Sequence, residues 1–293
     1  MADVEEIEAV AELITLALRE DVGGGDVTTE ACVPPGTRAS ARLVAKQQPG
    51  LVVGGLGVFR EVFRRVDETV WVEARVKDGE MVTPGTVVAE VNGPARAILT
   101  AERTALNFVM RLSGVATLTR SMRAALRDHP SVKLLDTRKT TPGMRTLEKQ
   151  AVKAGGGTNH RVGLFDGVLI KDNHIAVAGG IRPAIQRARA QVHHLLRVEC
   201  EVTTLEGVTD ALEAGADVIL LDNMDTPTMR EAVKLVRAQA RPVFVEASGN
   251  MTIKRLPEVA DTGVDGISVG ALTHSAAAVD YSLEFHAAPL EEG

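Results

Sequence analysis

The stretch KLLDTRKTTPGMRTLEKQAVKAGGGTNHRVGLFDGVLIKDNHI, Lys133 to Ile175, decides how the rest of the chain is read. Its two apolar runs, Leu134-Leu135 and Val168-Leu169-Ile170, read as short buried strands, and each empties into a basic, polar turn. From Arg138 to Lys171 there are seven Arg or Lys (138, 139, 145, 149, 153, 161, 171) against two acids, Glu148 and Asp166. The whole protein has a formal net charge of -6. An acidic protein that gathers cations at strand ends is built to bind a small, highly charged anion, because open α/β folds place ligands there. A solvated basic helix over 144–154 accounts for Lys149 and Lys153. It leaves Arg138-Lys139, His160-Arg161 and Lys171-Asp172 unexplained.

At 293 residues the chain suggests two domains, and with 45% hydrophobic and 25% charged residues it has ample material for a core. No apolar run approaches the roughly 20 residues of a membrane span, and the acidic start MADVEEIEAV is unlike a secretory signal. Cys32 and Cys200 read as buried thiols rather than a disulfide, which points to the cytoplasm. A pI near 5.7 argues against general nucleic-acid binding.

Val4, Ile7, Val10, Ile14 and Leu18 recur at helical spacing, so the pattern predicts an amphipathic helix over 4–20 that stops at Gly23-Gly24-Gly25. Alternating stretches at 39–45, 70–76 and 87–91, with a helix at 57–66, predict an antiparallel sheet with helices packed on it. Residues 98–127 read as two helices broken near Ser113-Gly114, with a domain boundary near Val115. Beyond it, strands at 132–136, 167–171, 197–202, 217–222, 242–247 and 265–269 alternate with helices at 144–154, 181–192, 205–214, 227–239 and 252–261. That rhythm implies parallel βα units. Six strands do not establish a complete eight-stranded barrel.

Strand C-terminal ends face the ligand in barrel-like α/β folds. Here those ends hold Arg138-Lys139, Lys171-Asp172, Glu201, Asp222, Ser248-Gly249-Asn250 and Ser268-Val269-Gly270. Glu199 and Glu201 share one face of their strand. Glu201 and Asp222 suit Mg²⁺, a hard cation that shares its coordination with substrate phosphates and water. Either could instead cap the following helix or pair with a lysine. Ser248-Gly249-Asn250, before the helix at 252–261, and the turn at Gly270 suit a phosphate. His193-His194 reads as surface, while His160 and His174 stand equally well as core histidines. Asn223 breaks the pair of acids that a diphosphosugar motif would need.

The strings Asp136-Thr-Arg-Lys-Thr-Thr-Pro-Gly143, Gly155-Gly-Gly-Thr-Asn-His-Arg161 and Asp166-Gly-Val-Leu-Ile-Lys-Asp-Asn-His-Ile175 together resemble the quinolinate phosphoribosyltransferases. So do Glu199-Cys-Glu201, Leu220-Leu-Asp-Asn-Met224, Glu246-Ala-Ser-Gly249, Ser268-Val-Gly-Ala-Leu-Thr-His-Ser275 and Thr100-Ala-Glu-Arg103. The likeness spans nearly the whole chain. Cys200 and Asn250 depart from it, in slots where Val and Gly are usual.

The resemblance implies an N-terminal α/β sandwich over 1–115 and an open, incomplete α/β barrel of parallel strands over 116–275. It leaves open that the tail, 276–293, packs back on the sandwich. The implied reaction joins quinolinate to phosphoribosyl diphosphate with Mg²⁺, giving nicotinate mononucleotide, diphosphate and CO₂ for de novo NAD biosynthesis. Residue by residue it assigns quinolinate to Arg103, Thr137, Arg138, Lys139, His160, Arg161 and Lys171. Catalysis falls to Lys139, Glu201 and Asp222, the two acids also holding the metal. Phosphoribosyl diphosphate falls to Lys139, Lys171, Glu201, Asp222, Ser248, Gly249, Asn250, Ser268, Val269, Gly270 and Ala271. It further suggests a homodimer or higher oligomer in which Arg103 completes the partner's site.

Two rivals differ in what they need. A nicotinate-specific transferase would not require so dense an Arg/His cluster. A biotinyl or lipoyl carrier would present Lys77 in a tight hairpin, and the stretch 76–85 lacks the flanking small residues.

Overall fold

The structure, a computed structural model, describes residues 4–287 and the surroundings of side chains 8–286. It divides into two compact units. The first draws on the chain up to Arg120, on Thr140–Gly156 and on the segment from Ser275 onward; the second holds Ser121–Lys139 and Gly157–His274.

The first unit opens with helices α1 (Val4–Val22) and α2 (Val27–Cys32). Alternation then fixes which sheet face is buried. In β1 (Arg38–Ala45), Ala39, Ala41 and Leu43 point inward. The strand pairs antiparallel with β5 (Val87–Pro94), which also pairs with β3 (Trp71–Ala74). A two-stranded ribbon of β2 (Leu51–Val52) and β4 (Met81–Val82) lies beside them. In helix α3 (Leu56–Val66) the apolar residues fall at i, i+3, i+6 and i+7, burying Leu56, Phe59, Val62 and Phe63. The two phenylalanine rings meet edge to face, 5.0 Å apart.

Residues 98–127 do not break near Ser113-Gly114, because helix α4 runs unbroken from Ala95 to Ala125. Gly114 serves a close approach instead. A Cβ built there would stand 2.0 Å from the carbonyl oxygen of Ala277. Beside it, Ser113 Oγ lies 3.1 Å from Tyr281 Oη and donates to Gly54 O. Helix α5 (Arg145–Ala154) clusters with this unit rather than with the strands around it in sequence. It is not a solvated basic helix: Lys149 is buried, and the fully buried Glu148 accepts from Arg111 at 2.7 Å and from Thr141 Oγ1 at 2.8 Å. Strand β12 (Tyr281–Ala287) returns to pair with β1 in the order β12-β1-β5-β3; residues 288–293 of the tail lie outside the described residues.

In the second unit β6 (Lys133–Leu135), β7 (Val168–Ile170), β8 (Val198–Val202), β9 (Val218–Asp222), β10 (Phe244–Ser248) and β11 (Gly266–Ser268) are all parallel. Their order is β6-β11-β10-β9-β8-β7, with no ladder closing β7 to β6. The unit is therefore an open α/β barrel. Thr158 makes a single parallel bridge to Leu135 on the free side of β6. The covering helices include α6 (Asp172–Ala178), α7 (Ile181–Gln191), α8 (Leu205–Glu213) and α9 (Thr226–Arg237). Leu134, Ile185, Ile219, Leu221 and Ile267 form its core.

Helix α10 (Leu256–Ala260) is shorter than the expected 252–261, because Pro257 can stand only in the first helical turn. The final α11 (Ala271–His274) is a single turn. Cys200 is buried as expected, but Cys32 is exposed, since it ends a short surface helix; both thiols are free. Among the described residues no helix is long and apolar enough to cross a membrane.

Candidate active site

A cavity of about 580 Å³ opens at the C-terminal ends of the parallel strands. At the tip of β6, Asp136 is fully buried and its Oδ1 accepts the His160 N–H at 2.9 Å. The Thr158 bridge thus delivers the segment 159–161 to the rim left open between β6 and β7. Thr137 Oγ1 accepts the Lys139 N–H at 3.1 Å, and Lys139 O accepts from Thr273 Oγ1 at 2.8 Å, so the basic turn is braced through its main chain. Arg161 Nη1 donates to Gly167 O at 3.0 Å. Burial, and then the charge of Arg138, hold the Arg161 guanidinium below its ordinary pKa. A second cation beside a half-buried one favours an anion between them.

From β7, Lys171 Nζ reaches Glu201 Oε2 on β8 at 3.1 Å. Its main-chain N–H donates to His174 Nδ1, so His174 is an exposed helix cap rather than a core histidine. Asp222 ends β9 with its Oδ2 accepting from Asn223 Nδ2 at 2.8 Å. Asn223 then ties down the next tip: its N–H donates to Ser248 O at 3.0 Å and its Oδ1 accepts from Asn250 Nδ2 at 3.0 Å. Gly249, at φ +91°, could not carry a Cβ, which would stand 2.2 Å from Asn223 Oδ1. The Ser248–Asn250 loop does not open directly into a helix. Arg255 braces it by donating to Gly249 O at 3.1 Å and Met224 O at 2.8 Å.

The cavity brings together Thr137, Arg138, Lys139, His160, Arg161 and Lys171 with Glu201 and Asp222, and with Ser248, Gly249, Asn250 and Ser268. Val269, Gly270 and Ala271 do not line it, and the Val269 N–H is already bonded to Leu135 O at 2.9 Å. Gly270 instead makes room for Lys139, whose Cδ would lie 3.0 Å from an added Cβ. Arg103 stands exposed on α4, in the unit that does not contain the cavity.

Asp136, Asn223 and Glu246 also line the cavity, and sequence reasoning assigned none of them to it. Asp136 and Glu246 lie inside strings that resemble the family, and Asn223 breaks a motif rather than making one. Glu246 is nearly fully buried, and its carboxyl is pushed up to about 8 by burial and then by the nearby charge of Glu199. His160 Nε2 lies 3.1 Å from Glu199 Oε2 and 3.5 Å from Glu246 Oε2.

A hollow of about 640 Å³ at the opposite strand ends offers no comparable chemistry. Its acids are occupied: Asp217 accepts the Val198 N–H at 2.8 Å and pairs with Arg189, and Asp265 pairs with Arg237 at 2.7 Å. The turn around Lys77 is likewise tied to its own unit, with Asp78 Oδ1 accepting the Leu56 N–H and Gly79 donating to Val53 O. It is not a presented carrier hairpin.

Comparison with known proteins gives two family matches that meet near Val115. The family model "Quinolinate phosphoribosyl transferase, N-terminal domain" matches residues 26–113, and its C-terminal counterpart matches residues 115–284. The probable nicotinate-nucleotide pyrophosphorylase [carboxylating] of Bacillus subtilis (strain 168) is 45% identical over 265 residues, covering 90% of this chain and 89% of that protein. The mitochondrial quinolinate phosphoribosyltransferase [decarboxylating] 2 of Nicotiana glauca is 41% identical over 292 residues, covering 93% and 81%. Among solved structures, NadC from Streptococcus pyogenes superposes with a TM-score of 0.90 at 38% identity, over 98% of this chain and 99% of that one.

Proposed function

The chain belongs to the quinolinate phosphoribosyltransferase family, and from that premise we infer that it joins quinolinate to phosphoribosyl diphosphate with decarboxylation. The products are nicotinate mononucleotide, diphosphate and CO₂, as in de novo NAD biosynthesis. One observation carries this reading. Arg138, Lys139, Arg161 and Lys171 converge on one cavity with the carboxylates of Glu201 and Asp222. A dicarboxylate and a sugar diphosphate need many cations; a sugar that turns cationic needs anions close by.

Arg138 and Arg161 receive the two quinolinate carboxylates, each fork able to donate paired hydrogen bonds. Lys139 and Lys171 act as point charges on the diphosphate. Ser248–Asn250 and Ser268 hold the 5′-phosphate, with the Val269–Ala271 turn behind them. The pyridine nitrogen attacks the anomeric carbon as the bond to diphosphate breaks. Glu201 and Asp222 stabilise the positive charge that develops on the ribose ring. No covalent nucleophile is needed, so catalysis rests on positioning and electrostatics. The new ribose bond leaves the ring nitrogen cationic, which eases loss of the neighbouring 2-carboxylate as CO₂; a proton then takes its place on the ring.

The donor set fits Mg²⁺. Glu201 and Asp222 offer hard carboxylate oxygens on adjacent strand tips facing one cavity, with room for water and phosphate oxygens. When bound there, Mg²⁺ supplies neutralisation of the departing diphosphate.

We further propose a homodimer in which Arg103 of one subunit completes the quinolinate pocket of the other, because this exposed arginine does not line the cavity. The two free thiols suit the cytoplasm. The reading is tested by incubating the protein with quinolinate, phosphoribosyl diphosphate and Mg²⁺ and assaying nicotinate mononucleotide. Nicotinate serves as the control acid. Equal kcat/KM for the two acids sinks the assignment, since a site that pairs a missing carboxylate leaves its cations unsatisfied.

A further inference from the structure

Glu199 and Glu246 are two acids in a barrel that is to receive an anion, where neither helps to attract it. Both are buried, and each leaves one oxygen (Oε1) without a hydrogen-bond partner. What they do face is His160. Its Nδ1 accepts the main-chain N–H of Arg161 at 2.8 Å. An imidazole that accepts at Nδ1 carries its proton on Nε2, and that proton needs an acceptor. Glu199 Oε2 stands 3.1 Å away as that acceptor, with Glu246 Oε2 at 3.5 Å.

The same proton argues against a metal. The three ligand atoms lie within 4.8 Å of one another, but a protonated Nε2 has no lone pair to give. Glu199 also does not touch the substrate cavity. It lines a separate hollow of about 410 Å³, and His160, Arg161 and Glu246 form the wall common to the two. The hydrogen bond of Glu199 to the cavity wall is to His160.

We propose that Glu199, backed by Glu246, is a positioning residue for the quinolinate end of the site. It holds His160 as the Nε2–H tautomer, and the ring in turn anchors the main chain from which the Arg161 guanidinium extends. This rests on the function proposed above. With the His160 N–H bonded to Asp136, the arginine-bearing segment is held at three points: the bridge at Thr158, the His160 N–H on Asp136 Oδ1 and the Arg161 N–H on the imidazole.

The test uses the full-length protein. Glu199→Leu removes the acceptor while keeping similar bulk and leaves the His160 Nε2–H without its partner, and circular dichroism checks that the variant is folded. The expected result is a quinolinate KM raised roughly ten- to hundredfold, the effect of losing a charge-assisted hydrogen bond. The KM for phosphoribosyl diphosphate stays within about twofold, and Glu199→Gln, which keeps an acceptor oxygen, recovers most of the loss. Equal changes in both KM values, or none in a folded variant, overturn the proposal. A second readout needs no activity: long-range ¹H–¹⁵N spectra of the histidine-labelled wild type should show His160 protonated at Nε2, with the pattern altered in Glu199→Leu. A wild-type His160 protonated at Nδ1 overturns it as well. Should the wild type fail to convert quinolinate, the functional reading falls while the tautomer measurement still decides this one.

Discussion

The side-chain amide of Asn250 donates to Asn223 Oδ1 at 3.0 Å, and both residues hold positive φ, 49° and 52°. Two neighbouring strand tips are thereby clasped by residues that tolerate the left-handed region. Asn223→Ala loses the clasp, at about 1 kcal/mol, and adds about 1 kcal/mol of backbone strain. The KM for phosphoribosyl diphosphate should rise roughly five- to thirtyfold, with that for quinolinate little changed. Steady-state kinetics with each substrate varied in turn checks it.

Removing charge from the acids tests the electrostatic part of the mechanism. Glu201→Gln and Asp222→Asn should each lower kcat on the order of 100-fold, because a positioned group aimed at developing charge contributes about that much. Circular dichroism should show an unchanged fold. Near-normal turnover at saturating Mg²⁺ would return both residues to structural duty.

Gly114→Ala should destabilise the first unit. The new methyl would sit 2.0 Å from the Ala277 carbonyl, a backbone atom that cannot swing aside. Overpacking of this kind costs about 1–3 kcal/mol, and the denaturation midpoint should fall accordingly. An unchanged midpoint would mean that α4 and the returning segment separate without penalty.

Stability should fall as pH rises through the range set by Glu246. Its carboxyl is raised from 4.5 in the unfolded chain to about 8 in the folded one. Between those values the folded state holds a proton that the unfolded state has released. The associated stability is therefore complete below pH 4.5 and is lost as pH climbs toward 8. Glu246→Gln removes that dependence, so its urea midpoint should decline less between pH 5 and 8 than the wild type's. Parallel curves would show that this carboxyl does not titrate in the window.

Subunit mixing tests the shared site. Arg103→Ala and Lys139→Ala should each be inactive alone. If Arg103 serves the neighbouring barrel, a mixed dimer carries both lesions at one site and neither at the other. Activity should therefore recover toward about a quarter of normal, by random pairing of subunits. No recovery despite demonstrated exchange would assign Arg103 to its own barrel or to none.

The parallel strands and their basic tips were legible because a buried strand must be apolar and its polar end must then be conspicuous. Lys171, Glu201 and Asp222 stand out for that reason. Asp136, Glu199 and Glu246 did not, since an acid inside a barrel is explained only by a partner distant in sequence, here His160. Gly114 misled because the helical pattern carries no sign of Ala277, 163 positions later, whose carbonyl demands a residue without a side chain. Lys149 misled for a similar reason: spacing places it on a helix but does not say that the helix has no solvent face at that point.

The pairing of β12 with β1 constrains the order in which the protein can be made. Synthesis proceeds from the N-terminus, so β1, β5 and β3 leave the ribosome long before Tyr281–Ala287 exists. During that interval the backbone of β1 that will face β12 is an open edge, able to accept any passing strand. All six barrel strands emerge before the first sheet receives its last member. The barrel is the insert, and the first sheet cannot be completed until the strand beyond it has been made.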